Sequence, residues 1–190
     1  KKTMEKWRAL MLAVPNIPDI SVPEGASEAE NLELRTWGEK PKYSFTPKTH
    51  VELMESLGLV DLARGVKVAG FRGYFLKGEA VALSFALWQY GLKAMSKHGF
   101  LPMITPAIVN PEGFLCTGYL PQGEEELYKT QDGSYFAGTA EVPLIASLMG
   151  EVLEAHELPL KLLGFSPCYR REAGSYGKDT KGLIRVHEFY

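Results

Sequence analysis

Two arginines, a carboxylate and an aromatic ring near the end of the sequence are the residues best suited to chemistry. The segment 168–172 reads Cys-Tyr-Arg-Arg-Glu, and after a polar stretch the sequence continues with Arg185 and Phe189. A guanidinium binds a phosphate through two parallel hydrogen bonds, and an aromatic ring offers its face to a base. These residues predict a nucleotide site if Arg170 and Arg185 share one face. The alternative is a surface hairpin with an Arg–Glu pair.

A hydroxyl and a carboxylate occur together at Thr139 and Glu141, directly before an apolar stretch. One interpretation is structural: Thr139 caps a helix, and Glu141 lies in its first turn, where a negative charge is favourable. The other is a small polar pocket, in which the hydroxyl and the carboxylate hold a ligand that carries an ammonium group. The residues alone leave both interpretations open.

Cysteine and histidine side chains are weaker candidates. Cys168 precedes the Tyr-Arg pair, but no His or Asp is arranged around it in the sequence, which favours a structural thiol over a nucleophile. His187 and Glu188 are neighbours and would point to opposite faces of a strand, which disfavours a shared metal ion. We therefore assign no metal ligand.

The elements that must position these residues are a hairpin and two helices. Residues 161–169 and 183–190 predict the strands of an antiparallel hairpin with a long polar connection. Apolar residues recur every three or four positions over 79–98, the strongest helical pattern, and a second helix is predicted over 142–156. Residues 100–109 predict an edge or irregular strand, because two prolines interrupt them.

Composition excludes several classes of protein. The chain has 190 residues, 21 Lys and Arg against 23 Asp and Glu, and a formal net charge of -2, so no global basic field indicates a nucleic-acid binder. Its 2 cysteines are too few for a disulfide framework and favour a reducing compartment. No apolar run is long enough to span a membrane. We expect a protein without a membrane segment, in which any polyanion meets a local patch.

The sequence divides into three parts. Residues 1–14 have a helical period that Pro15 ends, as expected for the tail of a longer helical arm. Residues 15–48 are rich in Pro, Glu and Ser without a sustained period, which predicts a linker. Residues 49–190 form the main body. Because the chain opens with Lys and stops within an apolar-rich stretch, we expect that both ends have been cut.

Longer stretches resemble a known family, the class II aminoacyl-tRNA synthetases, and within it the seryl-tRNA synthetases. Residues 167–189 resemble the family's motif 2 and read Pro-Cys-Tyr-Arg-Arg-Glu-Ala-Gly-Ser-Tyr-Gly-Lys-Asp-Thr-Lys-Gly-Leu-Ile-Arg-Val-His-Glu-Phe. Residues 138–144, Gly-Thr-Ala-Glu-Val-Pro-Leu, are similar to the serine loop, and 79–98 to motif 1, which forms dimers. The resemblance implies an α+β fold, a mostly antiparallel sheet flanked by helices. It is incomplete at the C-terminal end, where motif 3 is absent.

The resemblance also implies roles for residues of the nucleotide site. Arg170 would contact the α-phosphate of ATP and the carboxylate of serine, Glu172 the adenine amino group, and Arg185 the γ-phosphate. The Val186 backbone would contact the adenine edge, and Phe189 would stack on the ring. The implied ATP site comprises Arg170, Arg171, Glu172, Arg185, Val186, His187, Glu188 and Phe189, with Arg170 and Glu172 as its catalytic residues.

The implied serine pocket is lined by Thr139, Ala140, Glu141 and Arg170, with Glu141 facing the substrate ammonium. The sequence departs from the family at two positions: Tyr169 stands where Phe is usual, and Glu188 where Gln is usual. The second departure adds a negative charge near the ATP site. We expect it to be tolerated only if Glu188 faces away from the phosphates.

The implied activity is that of a cytoplasmic serine–tRNA ligase that acts as a homodimer through motif 1. L-Serine and ATP, with Mg²⁺, would give seryl-adenylate, and the seryl group would pass to the 3′ end of tRNA(Ser), with tRNA(Sec) as a further candidate. Two alternatives are an enzyme that loads a carrier protein and a non-catalytic module derived from a synthetase. We expect the 190-residue piece alone not to aminoacylate tRNA.

Overall fold

The computed structural model describes residues 1–173 and 183–190, in two compact units, Lys1–Pro47 and Lys48–Tyr190. The first unit contains helix α1, Lys2–Leu12, and a 3-10 turn at Glu28–Glu30. All of its residues are exposed, so this unit has no core of its own. The division of the chain into arm, linker and main body stays a prediction.

The second unit opens with short elements joined by tight turns. In chain order they are α2 (His50–Ser56), β1 (Val60–Asp61), α3 (Leu62–Ala69) and β2 (Phe75–Leu76). The strands β1 and β2 pair antiparallel. The chain between α3 and β2 turns back so closely that a Cβ on Gly73 would lie 2.8 Å from the carbonyl carbon of Gly65. Only glycine allows this approach of two backbone segments.

The longest helix, α4 (Glu79–Ser96), confirms the helix predicted over 79–98. Two short strands follow it, β3 (Leu101–Ile104) and β4 (Ile108–Val109). They are separated near Pro106, as expected for an interrupted strand segment, because proline cannot donate a ladder hydrogen bond.

The core of the second unit lies where α5 (Pro111–Cys116), β5 (Tyr135–Phe136) and α6 (Glu141–Ala146) meet β4. A 3-10 turn at Glu124–Glu126 lies between α5 and β5 along the chain, and β4 pairs antiparallel with β5. Seven buried side chains form one cluster: Val109, Phe114, Leu120, Leu127, Tyr135, Ala137 and Val142.

The helix predicted over 142–156 is wrong in length. Helix α6 ends at Ala146, and a further 3-10 turn occupies Ala155–Glu157. Gly150 adopts a φ of 78°, a left-handed conformation that an α-helix does not contain. The apolar pattern continued past this point, but the backbone at Gly150 leaves the helical region.

The strand predicted over 161–169 is also wrong, because two strands occupy that segment. They are β6 (Leu162–Phe165) and β7 (Cys168–Tyr169), separated at Ser166 and Pro167. Strand β6 pairs in parallel with β3, and only β7 pairs antiparallel with β8 (Glu188–Phe189). The predicted hairpin therefore exists, but each of its strands is two residues long. Its connection falls mostly on 174–182, outside the described residues.

The predicted α+β class is confirmed. Among the residues that the structure describes, three strand pairs are antiparallel and one is parallel. A ring cluster joins the long helix to β6: Trp88 of α4 lies 5.2 Å from Phe165 and 5.5 Å from Tyr190 between ring centroids. Through β6 and the end of β8, helix α4 supports the hairpin.

Candidate functional site

The hairpin of β7 and β8 presents an arginine and an aromatic ring on the same face. Cys168 pairs with Phe189, Tyr169 pairs with Glu188, and the amide of Arg170 donates to the carbonyl of His187 at 2.9 Å. Alternate residues of a strand share a face, so Arg170 lies beside Phe189. Its Cζ atom is 5.0 Å from the centroid of that ring, a cation–π contact. The structure thus joins the two groups predicted for a phosphate and a base.

Arg170 is fixed from a second side by the loop that precedes α6. Its Nε atom donates to the carbonyl of Gly138 at 3.0 Å, and the amide of Tyr169 donates to the carbonyl of Ala137 at 2.9 Å. A Cβ on Gly138 would lie 3.2 Å from the carbonyl oxygen of Tyr169 and 3.3 Å from Cγ of Arg170. Glycine therefore allows the hairpin to approach the loop that carries Thr139.

The loop at Thr139 and Glu141 is a weak helix cap. Ala140 occupies the N-cap position, and the amide of Glu141 is 3.4 Å from Oγ1 of Thr139, a long contact for a hydrogen bond. Thr139 and Ala140 are half-buried and Glu141 is exposed. Thr139 is therefore not the N-cap that the structural interpretation expects, whereas Glu141 does lie in the first turn of the helix. The pocket interpretation stays a prediction.

The loop rests on strand β6 through a glycine. A Cβ on Gly164 would lie 2.7 Å from Cβ of Ala140 and 2.9 Å from Cδ1 of Leu144. No real side chain fits at such distances, so Gly164 allows the loop and the start of α6 to lie directly on the strand.

Glu172 and Arg185 form an ion pair with 3.1 Å between Oε2 and Nη1. The Glu172 side chain is 16% exposed and that of Arg185 is 42% exposed, so the pair is partly shielded from water. Arg170, Glu172, Arg185 and Phe189 thus belong to one hairpin, held together by a strand pair and an ion pair. The side chain of Arg171 is exposed.

His187 and Val186 support the hairpin from within. The His187 Nδ1 atom lies 2.9 Å from the carbonyl oxygen of Arg170, and its ring meets Tyr128 edge to face at 6.4 Å. Val186 is buried, with 7% of its surface exposed. The described part of the chain has no group of three or more His, Cys, Asp or Glu side chains placed to hold a metal ion.

Glu188 lies on the other face of the hairpin, with Tyr169. Its carbonyl accepts a hydrogen bond from the hydroxyl of Tyr74 at 3.1 Å. Burial raises the pKa of both Tyr74 and Tyr169, and the Glu188 charge raises each pKa further. A cleft of about 520 Å³ opens on this face, with Lys129 also in its lining. The carboxylate of Glu188 thus shares its face with two tyrosines and not with Arg170.

Sequence reasoning missed three groups that hold the site. Glu126 accepts hydrogen bonds from the amides of Arg171 and Ala173, both at 3.1 Å. Tyr74 contacts a strand 114 residues away along the chain, and Gly164 supports the loop. Glu126 ends a run of three glutamates that is typical of a solvated turn, and no sequence pattern distinguishes it from its neighbours.

Comparisons with known proteins find similarity to one family of tRNA synthetases. Residues 127–190 match the family model of the tRNA synthetase class II core domain (G, H, P, S and T). The serine–tRNA ligase of Deinococcus radiodurans is 48% identical over 183 residues, which are 96% of this chain and 43% of that protein. The serine–tRNA ligase of Geotalea uraniireducens is 46% identical over all of this chain and 45% of its own length. The chain thus spans less than half the length of these relatives.

Solved structures agree with the sequence comparison. A seryl-tRNA synthetase from Pyrococcus horikoshii, complexed with ATP, superposes with a TM-score of 0.91 at 36% identity, covering 99% of this chain and 47% of that one. A cytoplasmic serine–tRNA ligase from Naegleria fowleri, in complex with AMP, has a TM-score of 0.89 at 34% identity, covering 99% of this chain and 45% of that one. Within the described residues, no helix is long and apolar enough to cross a membrane.

Proposed function

We propose that this chain, which is homologous to serine–tRNA ligases, is the part of such an enzyme that binds ATP and L-serine. The observation that carries the proposal is the double attachment of Arg170. Its guanidinium lies 5.0 Å from the ring of Phe189 and donates to the carbonyl of Gly138 at 3.0 Å. One arginine thus connects the position of a base with the loop of Thr139 and Glu141.

The reaction is attack of the serine carboxylate on the α-phosphorus of ATP, which forms seryl-adenylate and releases pyrophosphate. The nucleophile is already an anion, so no general base is needed. The enzyme must bring two anions together and neutralise the charge that develops between them. Arg170 is suited to both tasks. Its Nε atom donates to the carbonyl of Gly138, and its two terminal nitrogen atoms can donate to two oxygen atoms of a phosphate or a carboxylate.

The adenine end of ATP is assigned to the other residues of the hairpin. Phe189 stacks on the base, the backbone of Val186 contacts its edge, and Glu172 accepts from the amino group. Arg185 binds the γ-phosphate. A guanidinium has five N–H donors, so the ion pair of Arg185 with Glu172 leaves donors for a phosphate.

The remaining assigned residues have different surroundings. Arg171 is exposed, and its positive charge can attract the phosphates of ATP. His187 contributes to the ATP site through its contact with the carbonyl of Arg170. Glu188 shares a face with Tyr169, which lets its negative charge stay away from the phosphates.

Serine is assigned to the loop of Thr139, Ala140 and Glu141. Glu141 pairs with the substrate ammonium, and Arg170 with the substrate carboxylate. A pocket that hydrogen-bonds the serine hydroxyl rejects alanine, because alanine leaves the partner of that hydroxyl unpaired. Ala140 packs closely on Gly164, and this contact holds the loop against β6.

Magnesium enters as part of the MgATP substrate. Mg²⁺ retains several waters and is bound mainly through phosphate oxygens, with one or two carboxylates at most. That chemistry fits a described site without a cluster of three acidic or histidine ligands. No protein residue is assigned to the metal, which lowers the charge of the phosphates when bound.

Helix α4 is assigned to a homodimer interface. Three of its large apolar side chains are 58–61% exposed: Leu83, Phe85 and Leu87. An apolar groove of about 390 Å³ lies along the helix between Trp88 and Pro102. Exposed apolar surface of this kind marks interaction sites. The whole enzyme is assigned to the cytoplasm, with tRNA(Ser) as acceptor and tRNA(Sec) as a further candidate.

The test uses the full-length polypeptide that contains this chain. ATP–pyrophosphate exchange is measured with serine, and charging is then measured after addition of tRNA(Ser). Exchange followed by charging supports the ligase. Exchange without charging favours an enzyme that loads a carrier protein, and the absence of exchange leaves a non-catalytic module. That the chain alone does not charge tRNA stays a prediction.

A further inference from the structure

Both amides that flank Glu172 are bound by a single residue, Glu126. The amide of Arg171 donates to the Glu126 backbone carbonyl at 3.1 Å, and the amide of Ala173 donates to Oε2 of its side chain at 3.1 Å. Glu126 lies 47 residues away from Ala173 along the chain and is half-buried. One residue therefore holds a segment of the hairpin on either side of a proposed ATP-binding carboxylate.

Glu172 has a backbone conformation that needs such a support. Its φ is 54°, in the left-handed region that residues with a side chain rarely occupy. A conformation of this kind persists where the surroundings over-determine it. In it, the Glu172 carboxylate reaches Arg185 at 3.1 Å. The two hydrogen bonds to Glu126, which we call the Glu126 clamp, thus hold the backbone on both sides of Glu172, the residue that we assign to the adenine amino group.

The clamp is itself anchored to the core. Glu126 ends a 3-10 turn, and the next residue, Leu127, is 5% exposed in the core cluster. Two residues earlier, the Glu124 carboxylate accepts from the hydroxyl of Tyr135 at 2.6 Å and from Nζ of Lys129 at 3.1 Å. The contacts of Glu124 and the burial of Leu127 therefore hold the turn on both sides, and they fix the position from which Glu126 contacts the hairpin.

We propose that Glu126 is a positioning residue for adenine recognition, holding Glu172 in the conformation that accepts from the amino group of ATP. The proposal rests on the proposed function of the site. It assigns Glu126 no contact with ATP or serine. Its effect is on selection of the base, and serine binding is predicted to change little, because the serine loop is held separately by Gly138 and Gly164.

The experiment compares variants of the full-length polypeptide. Glu126→Met removes the side-chain acceptor at nearly unchanged length, and Glu126→Gln retains a carbonyl acceptor. Glu125→Ala is the matched control, because Glu125 lies in the same turn and is exposed. Calorimetry gives the Kd of ATP and of purine riboside triphosphate, which lacks the amino group. Exchange gives the KM of serine, and thermal unfolding monitors the fold.

We expect Glu126→Met to weaken ATP binding about ten-fold, as for a lost hydrogen bond to a charged group, and to reduce the preference for ATP over the analogue by a similar factor. Glu126→Gln and Glu125→Ala should remain within about two-fold of the wild type, and the KM of serine should change less than about three-fold in every variant. If Glu126→Met unfolds early, Glu126→Ala takes its place in the same comparison.

Wild-type binding and base preference in Glu126→Met, or in Glu126→Ala where that variant replaces it, would overturn the proposal. So would an equal loss for ATP and for the analogue, because that result indicates general damage to the site. A wild-type enzyme without serine exchange contradicts the proposed function instead. The ATP and analogue affinities still test Glu126 in that case, so the two failures are distinguishable.

Discussion

Arg170 carries more of the proposed chemistry than any other side chain, and its environment is suited to guanidinium rather than ammonium. The Nε atom is engaged by the carbonyl of Gly138, and the plane of the group lies near the ring of Phe189. Lysine has no equivalent of Nε and cannot bind two oxygens in a fixed fork. The position therefore requires both the charge and the shape of arginine.

We predict that Arg170→Lys lowers kcat/KM for ATP–pyrophosphate exchange by about 100-fold, the effect of losing a fixed donor at a reacting group. Arg64→Lys is the matched control, because Arg64 is 78% exposed and pairs only with the nearby Asp61 among the described residues. Steady-state exchange kinetics of both variants test this prediction. Equal activity of Arg170→Lys and the wild type would contradict the phosphate role.

Glu188→Gln should leave ATP binding nearly unchanged, within about two-fold, because the carboxylate lies on the face opposite Arg170. The same change should lower the raised pKa values of Tyr74 and Tyr169. Burial is the main cause of both shifts and stays in the variant, but the Glu188 charge adds to them and is removed. Ultraviolet titration of the phenol groups measures this. A large loss of ATP affinity would contradict the placement of Glu188 on the face opposite Arg170.

The sequence could predict the meeting of Arg170 and Phe189 but not the support by Glu126 and Tyr74. Pairing within a hairpin is local, so alternation along two strands is enough to bring side chains onto one face. The contacts of Glu126 and Tyr74 span 47 and 114 residues, and they depend on how the elements pack. A glutamate and a tyrosine are common residue types, so neither position stands out in the sequence.

Helix α6 and the loop before it pack closely on β6 at Gly164, and we expect this contact to shape the loop that we assign to serine. Gly164→Ala would place its Cβ 2.7 Å from Ala140. We expect the change to destabilise the fold by about 1–3 kcal/mol, as overpacking does, and to raise the KM of serine more than that of ATP. Thermal unfolding and exchange kinetics measure the two effects.

Gly91→Ala is the control for that change, because a Cβ there meets no atom within 4 Å and Gly91 lies inside α4. It should stabilise the helix by about 0.5–1 kcal/mol and leave the KM of serine unaltered. If both variants behave alike, the contact of Gly164 with the loop does not shape the pocket.

The turn before β5 should respond to acid. Hydrogen bonds from Tyr135 and Lys129 hold the pKa of Glu124 below its ordinary value of 4.5. A lowered folded-state pKa means that this carboxylate stabilises the fold above pH 4.5 and that the contribution is lost as the pH falls through the folded value. We predict that Glu124→Gln unfolds at a lower temperature than the wild type at neutral pH. The difference should shrink below pH 4.5, as thermal melts across this range will show.

Elements with a strong local signal were predictable, and those decided by packing were not. The apolar period over 79–98 contains no proline, and α4 follows it closely. By contrast, residues 161–169 read as one strand, yet Ser166 and Pro167 separate β6 from β7 and each pairs with a different partner. Partner choice is a tertiary property, so strand length alone could not reveal it.

Helix α4 has several exposed apolar side chains, and we assign this face to the dimer interface. Leu87 is 60% exposed on a helix that we assign to the dimer interface. A charge buried between two subunits without a partner is costly, so Leu87→Glu should weaken self-association by about ten-fold or more. Sedimentation over a range of concentrations measures this, with the exposed Lys97→Glu, just after α4, as the control.

We assign the activation of serine with ATP to Arg170, the hairpin and the loop of Thr139 and Glu141 acting together. The most direct test of this assignment is ATP–pyrophosphate exchange by the full-length polypeptide with each of the standard amino acids in turn. We predict exchange with serine at a rate at least about 100-fold above that with alanine, because a pocket that hydrogen-bonds the hydroxyl rejects alanine. Exchange of equal rate with serine and alanine, or with a different amino acid, would contradict it.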